Sequence, residues 1–250
     1  MSSIFVVDNL SKSYGARPVL DGLSFEVERG ECFVIMGRSG SGKSVTLRQL
    51  NGLEKPDSGS VSFDGTDVAS LSERELVPIR LRIAMLFQGG ALFDSMTVYE
   101  NVAFPIREHT RFTEVEVEKR VREKLAAVRL EGIEDRLPSA LSGGMKKRVA
   151  LARSLALNPE AVLFDEPTTG LDPMTSATIA GLIQAARRSH DVTSVVVTHD
   201  LALARAIADR IAFLDNGRFR FLGTWTEAEN SSDSLLAGFL AGKEEEENDS

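Results

Sequence analysis

ECFVIMGRSGSGKSVTLRQLNG, residues 31–52, carries three signals in one run. Cys32 to Met36 is an unbroken apolar stretch with the length of a buried strand. Gly37 to Ser44 then fits G-x-x-x-x-G-K-[ST], and Val45, Leu47 and Leu50 follow at helical spacing. A strand, a glycine-rich loop and a helix, in that order, form the context in which such a loop holds phosphate. The glycines let successive backbone N–H groups converge on phosphate oxygens, and the helix aims its positive dipole end at them. Lys43 adds a charge-assisted contact and Ser44 a hydroxyl suited to Mg2+. The candidate phosphate-binding set is Gly37, Arg38, Ser39, Gly40, Ser41, Gly42, Lys43, Ser44 and Val45.

Three later apolar runs end on polar residues. Ala161 to Phe164 runs into Asp165 and Glu166, Val195 to Val197 leads to His199, and Ile83 to Phe87 leads to Gln88. Strands alternating with helical patterns imply a mostly parallel sheet, and open parallel sheets bind ligands outside the carboxyl ends of their strands. Four strands thus aim their last residues at the edge where the glycine-rich loop holds phosphate. Ahead of the Asp-Glu strand stands LSGGM, Leu141 to Met145. Ser142 can cap a helix that begins at Gly143, leaving outward N–H groups and a hydroxyl as a second anion site. A plain helix cap fits those five residues equally well; their order and spacing among the other motifs favour the anion site.

Composition narrows the class. A 250-residue chain, 42% hydrophobic and 26% charged, suits one sizeable domain or two intimate subdomains. Half of the net charge of -8 sits in KEEEENDS, residues 243–250, and the rest of the chain shows no basic footprint for nucleic acid. The single cysteine, Cys32, has no internal disulfide partner and is expected to pack as a small hydrophobe. The N-terminus lacks a signal-peptide layout and the apolar runs are too short to span a bilayer, so membrane work would require another chain.

Residues 1–30 and 58–68 alternate apolar and polar around turns such as Asp64-Gly65, which predicts a small antiparallel sheet. Residues 89 to about 157 read as a helical insert, with Val115, Val121, Leu125 and Val128 among charges. Lys146-Lys147-Arg148 reads as a solvated helix face opposite Met145, Val149, Ala152 and Ala156. His109 and His190 read as surface residues. TEAENSSDSLLAGFLAG, residues 226–242, suggests a short capped helix. The expected division is one domain over 1–240 and an acidic mobile tail over 241–250.

Together these motifs resemble the nucleotide-binding subunit of an ABC transporter over roughly residues 4 to 225. The resemblance implies an α/β P-loop NTPase fold: a RecA-like core with a mostly parallel sheet, an antiparallel β-subdomain and the helical insert. It implies ATP and Mg2+ as ligands and a second copy of the chain as partner, with two ATPs sandwiched head to tail. Leu141, Ser142, Gly143, Gly144 and Met145 would serve the ATP of the opposite subunit. Asp165 would organise Mg2+ through water, with Ser44 and Gln88 as the other metal contacts. Glu166 would be the general base, His199 and Gln88 would sense the γ-phosphate and Mg2+, and Asp172 in GLDP would signal across the dimer. Tyr14 resembles the adenine-stacking aromatic, although a lone turn tyrosine also serves as packing.

QGGALFDSMTVYENVAFPIREHT, residues 88–110, is similar to the matching stretch of ATPases from MCE-type (Mla, maintenance of lipid asymmetry) phospholipid transporters. Met145, where many relatives have Gln, points the same way; Arg38 departs from a common proline. This resemblance implies transmembrane permease subunits, a periplasmic MCE lipid-binding protein and a peripheral position on the cytoplasmic face of the inner membrane. Ala91, Leu92, Phe93, Met96 and Tyr99 would border the groove for a permease coupling helix. The alternatives are the ATPase of a polar-solute importer and a soluble ABC scaffold of the iron–sulfur assembly kind.

Overall fold

The computed structural model describes residues 2–190 and 192–242; Met1, Asp191, the side chains of Ser189 and His190, and residues 243–250 of the tail expected to be mobile lie outside the described residues. In chain order the elements are β1 (Ser3–Tyr14), β2 (Arg17–Glu28), β3 (Cys32–Met36), α1 (Lys43–Leu50), β4 (Ser58–Phe63) and β5 (Thr66–Asp67). There follow α2 (Glu73–Arg82), β6 (Ile83–Leu86), α3 (Val98–His109), α4 (Glu114–Ala127), α5 (Gly143–Ser154), β7 (Ala161–Asp165), α6 (Pro173–His190) and β8 (Thr193–Thr198). The chain closes with α7 (Leu201–Ile207), β9 (Arg210–Asp215), β10 (Arg218–Gly223), α8 (Trp225–Glu229) and α9 (Ser234–Leu240). Backbone proximity divides them into two compact units, Met1–Leu71 with Val196–Ser250, and Ser72–Val195. Among the described residues no helix is long and apolar enough to cross a membrane.

The first unit contains the expected antiparallel sheet, in the order β2-β1-β4-β5. Phe5 stands opposite Phe63 across β1 and β4, and their rings meet at 5.1 Å, so one face of the sheet is closed by an aromatic cross-strand pair. Behind it lie strands ordered β10-β9-β3-β8, with β3 and β9 parallel. All five residues of β3 are buried, as its unbroken apolar run requires. Phe25 of the antiparallel sheet stacks on Phe33 of β3 and meets Phe219 of β10 edge-on, both at 5.4 Å. That packing fixes the strand from which the glycine-rich loop emerges. Cys32 is buried there as a small hydrophobe.

In the second unit β7 lies between β6 and the first residues of β8. Ile83 pairs with Ala161 and Leu86 with Phe164 in parallel register, so Gln88 leaves the sheet level with Glu166. Its helices start at local signals: Ser72 with Glu75, Thr97 with Glu100, and Thr113 with Glu116 form complete capping boxes on α2, α3 and α4. His109, at the end of α3, is exposed as expected.

Of the apolar residues named for this segment, Val115 is 77% exposed, while Val121 and Leu125 face inward together with Val117 and Lys124. A capping box at Thr113 sets the phase, and position 117 rather than 115 falls on the inner face. Residues 226–242 hold two helices rather than one, because Asn230 caps the end of α8 and the Asp233 carboxylate accepts the Leu235 and Leu236 N–H groups to start α9. Val117→Ala is expected to lower the stability by about 1 to 3 kcal/mol, the cost of deleting buried methyls. Val115→Ala should leave the urea midpoint unchanged; equal losses in the two variants would contradict this assignment of faces.

Candidate functional site

In the first unit, the chain turns from β3 into α1 through Gly37–Gly42. Gly42 occupies the N-cap of α1 at φ 107, and a Cβ there would stand 2.7 Å from Leu20 Cδ2 and 2.8 Å from the Val19 carbonyl oxygen. Only glycine fits, for reasons of both backbone conformation and space. The consequence is chemical as well as steric: unlike α2, α3 and α4, α1 starts with no side-chain cap, so no side chain stands at the N-cap between the positive end of the helix and an approaching anion. Ser41 Oγ is buried without a hydrogen-bond partner. The buried Lys43 ammonium donates to the carbonyl oxygens of Gly37 and Arg38, both at 2.9 Å, and is thereby folded over the loop it belongs to. A glycine cradle with a buried ammonium and the buried, unpartnered Ser41 hydroxyl fits a phosphate.

Tyr14 and His199 also belong to this unit. Tyr14 ends β1 with its ring exposed, its hydroxyl bonded to Glu54 and the Lys12 ammonium 5.9 Å from the ring centre. Burial and the Glu54 contact raise the phenol above its ordinary pKa. His199 is exposed between the end of β8 and Asp200, whose carboxylate caps α7 through the Leu203 N–H at 3.0 Å.

The second unit carries the carboxylates. Asp165 is the last residue of β7, and Glu166 follows, 8% exposed and at φ 47. A non-glycine residue in the left-handed region is strained, and such strain collects at functional sites. The Glu166 carboxylate accepts from Thr169 Oγ1 at 3.4 Å, and its carbonyl accepts from Thr169 N at 3.3 Å. Gln88 is exposed. One group joins the two. Lys147, expected on a solvated face, is 7% exposed, and its ammonium donates to the carbonyl oxygens of Gln88 and, at 3.3 Å, of Glu166. The reading of a solvated basic face is therefore wrong for Lys147: it lies one turn after Gly143 and Gly144, on the inner side of α5. Arg148 is also spoken for, donating to the carbonyl oxygens of Val128 and Arg129.

Leu141 is buried and Ser142 caps α5 as expected, accepting from Met145 N at 3.3 Å. Gly143 is exposed, Met145 is half-buried, and Gly144 is buried against Thr175 of α6. Thr175 is held in turn by Asp172: its hydroxyl donates to the carboxylate at 2.6 Å and its N–H at 3.0 Å. These hydrogen bonds keep the Asp172 carboxyl below the usual carboxylate range. Gly144 and Asp172 thus meet through one threonine.

The stretch after Gln88 is organised from α3. Asn101, fully buried, accepts from Phe93 N at 2.9 Å and donates to the carbonyl oxygens of Phe93, Met96 and Thr97 at 3.0 to 3.1 Å. Arg153 of α5 donates to the Gly90 carbonyl at 2.9 Å and lies over the Phe93 ring at 5.6 Å. With its backbone satisfied from below, the segment presents its side chains outward. Ala91 is exposed at φ 48, Phe93 is 42% exposed and edge-on to Phe104, and Leu92, Met96 and Tyr99 are half-buried.

The sequence pattern that defines the ABC transporter family matches residues 20–169, more than half of the chain. The chain belongs to the ABC transporter ATPase family. The matched span of this ABC ATPase contains the glycine-rich loop, Gln88, Leu141–Met145, Asp165 and Glu166, while Tyr14, Asp172 and His199 fall outside it. The intermembrane phospholipid transport system ATP-binding protein MlaF of Haemophilus influenzae is 41% identical over 241 residues, covering 96% of this chain and 91% of that protein. The probable ribonucleotide transport ATP-binding protein mkl of Mycobacterium tuberculosis is also 41% identical, over 95% of this chain. The chain spans only 66% of the length of mkl. In three dimensions the chain is similar to the dimeric ATP-binding cassette MJ0796 bound to ADP and Pi, with TM-score 0.83, 35% identity, and coverage of 88% of this chain and 98% of that one. The ABC ATPase fold expected from the sequence is thereby established.

Gly144 offers a direct test of the α5–α6 contact. Alanine at a helical position ordinarily gains up to about 1 kcal/mol over glycine. Here a Cβ would collide with the Thr175 methyl, which the Asp172 hydrogen bonds hold in place. Gly144→Ala is expected to lose about 1 to 3 kcal/mol by overpacking. Adding Thr175→Ser, which keeps the hydroxyl and removes the methyl, should restore most of it in urea unfolding.

Proposed function

We propose that this ABC ATPase powers a membrane phospholipid transporter of the MCE/Mla type through a separate permease. The observation that carries the cargo reading is the nearly end-to-end match to MlaF, which includes the stretch 88–110. The equal identity to mkl shows why the shared ATPase motifs by themselves cannot name a cargo. In this reading the chain sits peripherally on the cytoplasmic face of the inner membrane, with permease subunits and a periplasmic MCE lipid-binding protein as partners.

Each residue then has a task. The N-terminal N–H groups of α1, the loop amides from Gly37 to Val45 and the Lys43 ammonium bind the ATP phosphates, Lys43 exchanging its two loop carbonyls for phosphate oxygens. Ser44, Gln88 and, through water, Asp165 hold Mg2+, which when bound neutralises phosphate charge. Glu166 accepts a proton from the attacking water, and His199 contacts the γ-phosphate. Tyr14 offers its exposed ring to adenine. Two copies of the chain enclose two ATPs, Leu141–Met145 of each serving the nucleotide of the other and Asp172 relaying its state.

The exposed Phe93, its neighbours Ala91, Leu92, Met96 and Tyr99, and an open depression lined by Tyr99, Glu118, Arg122, Glu134 and Asp135 support permease docking on this face. An apolar anchor beside an acidic depression suits a short helix with apolar and basic residues.

Glu166→Gln is expected to keep ATP and stop hydrolysis, because the amide cannot accept the water's proton. Its ATP-bound form should persist as a dimer in light scattering or cross-linking; hydrolysis at the wild-type rate would remove Glu166 from its role. The whole reading is tested by copurification from a detergent extract. A polytopic partner with bound phospholipid is expected, whereas a lipid-free solute permease or a purely soluble partner would overturn the cargo. Phe93→Asp should fold and bind ATP yet weaken that copurification by about 2 kcal/mol or more, as loss of an interface anchor does.

A further inference from the structure

The helix that begins at the signature motif carries a buried cation to which the scheme above gives no task. Lys147 is 7% exposed, and its ammonium donates to the main-chain carbonyls of Gln88 and Glu166 rather than to a carboxylate. Burial pushes the Lys147 ammonium below its ordinary value, while the Asp165 and Glu166 charges push it back up. A buried charge placed on two carbonyls is costly for packing alone. The two carbonyls belong to the backbones with least freedom to be misplaced. Glu166 sits at φ 47, a conformation that persists only where its surroundings hold it. Gln88 opens a turn in which Gly90 N bonds back to the Phe87 carbonyl, followed by positive φ at Gly90 and Ala91. The parallel register of β6 and β7 makes these two residues leave the sheet level with each other, within reach of one ammonium.

We propose that Lys147 is a positioning residue for ATP hydrolysis: its ammonium pins the main chains of Gln88 and Glu166 together and ties both to the signature helix. Lys147 touches no reacting atom. It acts by holding the Glu166 carboxylate and the Gln88 amide in place at the same time, and so by making their geometry depend on where α5 stands. The proposal rests on the roles given above to Glu166 and Gln88.

The test is steady-state ATP hydrolysis by the full chain as it purifies, with nucleotide binding and melting temperature measured in parallel, for wild type, K147M, K147R and E166Q. K147M is expected to lower kcat about tenfold or more while KM for ATP stays within about threefold, because positioning is lost and phosphate binding is not. K147R, whose guanidinium has donors for both carbonyls, should recover most of the lost rate. If K147M does not fold, K147Q, neutral and too short to span both carbonyls, is held to the same criteria. Turnover by K147M within about twofold of wild type overturns the proposal. So does a parallel loss of kcat, ATP binding and melting temperature in both K147M and K147R, the mark of a lysine that only supports the fold. An inactive E166Q beside a fully active K147M removes this proposal alone, whereas a fully active E166Q removes the reading beneath it.

Discussion

The N-terminus of α1 is the point on which the rest of this protein depends. A helix begins with N–H groups that have no partner within the helix, and this chain knows how to satisfy them: α2, α3 and α4 each open with a complete capping box. At α1 the cap is a glycine with no side chain. No side chain covers that end of the helix, and the elements around it serve to hold the arrangement in place. The fully buried β3 anchors the loop from one side, the Phe25–Phe33–Phe219 cluster anchors β3, and Leu20 and Val19 close over Gly42 so tightly that no side chain fits.

A single helix organises the second unit in a comparable way. The start of α5 is capped by Ser142 and packed through Gly144 onto the threonine that Asp172 holds. One turn on, Lys147 reaches the carbonyls of Gln88 and Glu166; two turns further, Arg153 reaches that of Gly90. The main chains of Gln88, of Glu166 and of the segment expected to meet a permease are thus all hydrogen-bonded to α5.

Much of this could be read without coordinates because the signals are local. A strand that ends in Gly-x-x-x-x-Gly-Lys-Ser, polar residues placed just past apolar runs, and Ser or Thr followed three residues later by Glu each specify a conformation within a few residues. Where the reading failed or fell short, the deciding contact was distant in sequence. Val115 and Val117 are the same residue type two positions apart, and only the packing of α4 puts one in water and the other in the core. Lys147 stands in a Lys-Lys-Arg run that looks solvated, yet its carbonyl partners lie 59 and 19 residues away. Its helical phase was a usable signal, since Gly144, Lys147 and Leu151 share the buried side of α5. Asn101 and Arg153, which hold the segment after Gln88, are likewise silent in sequence: an asparagine in a helix and an arginine near a helix end are ordinary until their partners are known.

The sequence by itself determined the family, the glycine-rich turn between a buried strand and a helix, and the polar residues at the ends of the parallel strands, because each rests on residue type at fixed short spacing. The tertiary structure decided which of two valines is core, where residues 226–242 break into two helices, and that Lys147 of the Lys-Lys-Arg run is buried. It also decided that Glu166 adopts a left-handed backbone and that its carbonyl shares an ammonium with that of Gln88. Those outcomes depend on burial and on bonds between segments remote along the chain, whose free energies exist only once the strands have paired and α5 has packed beside them.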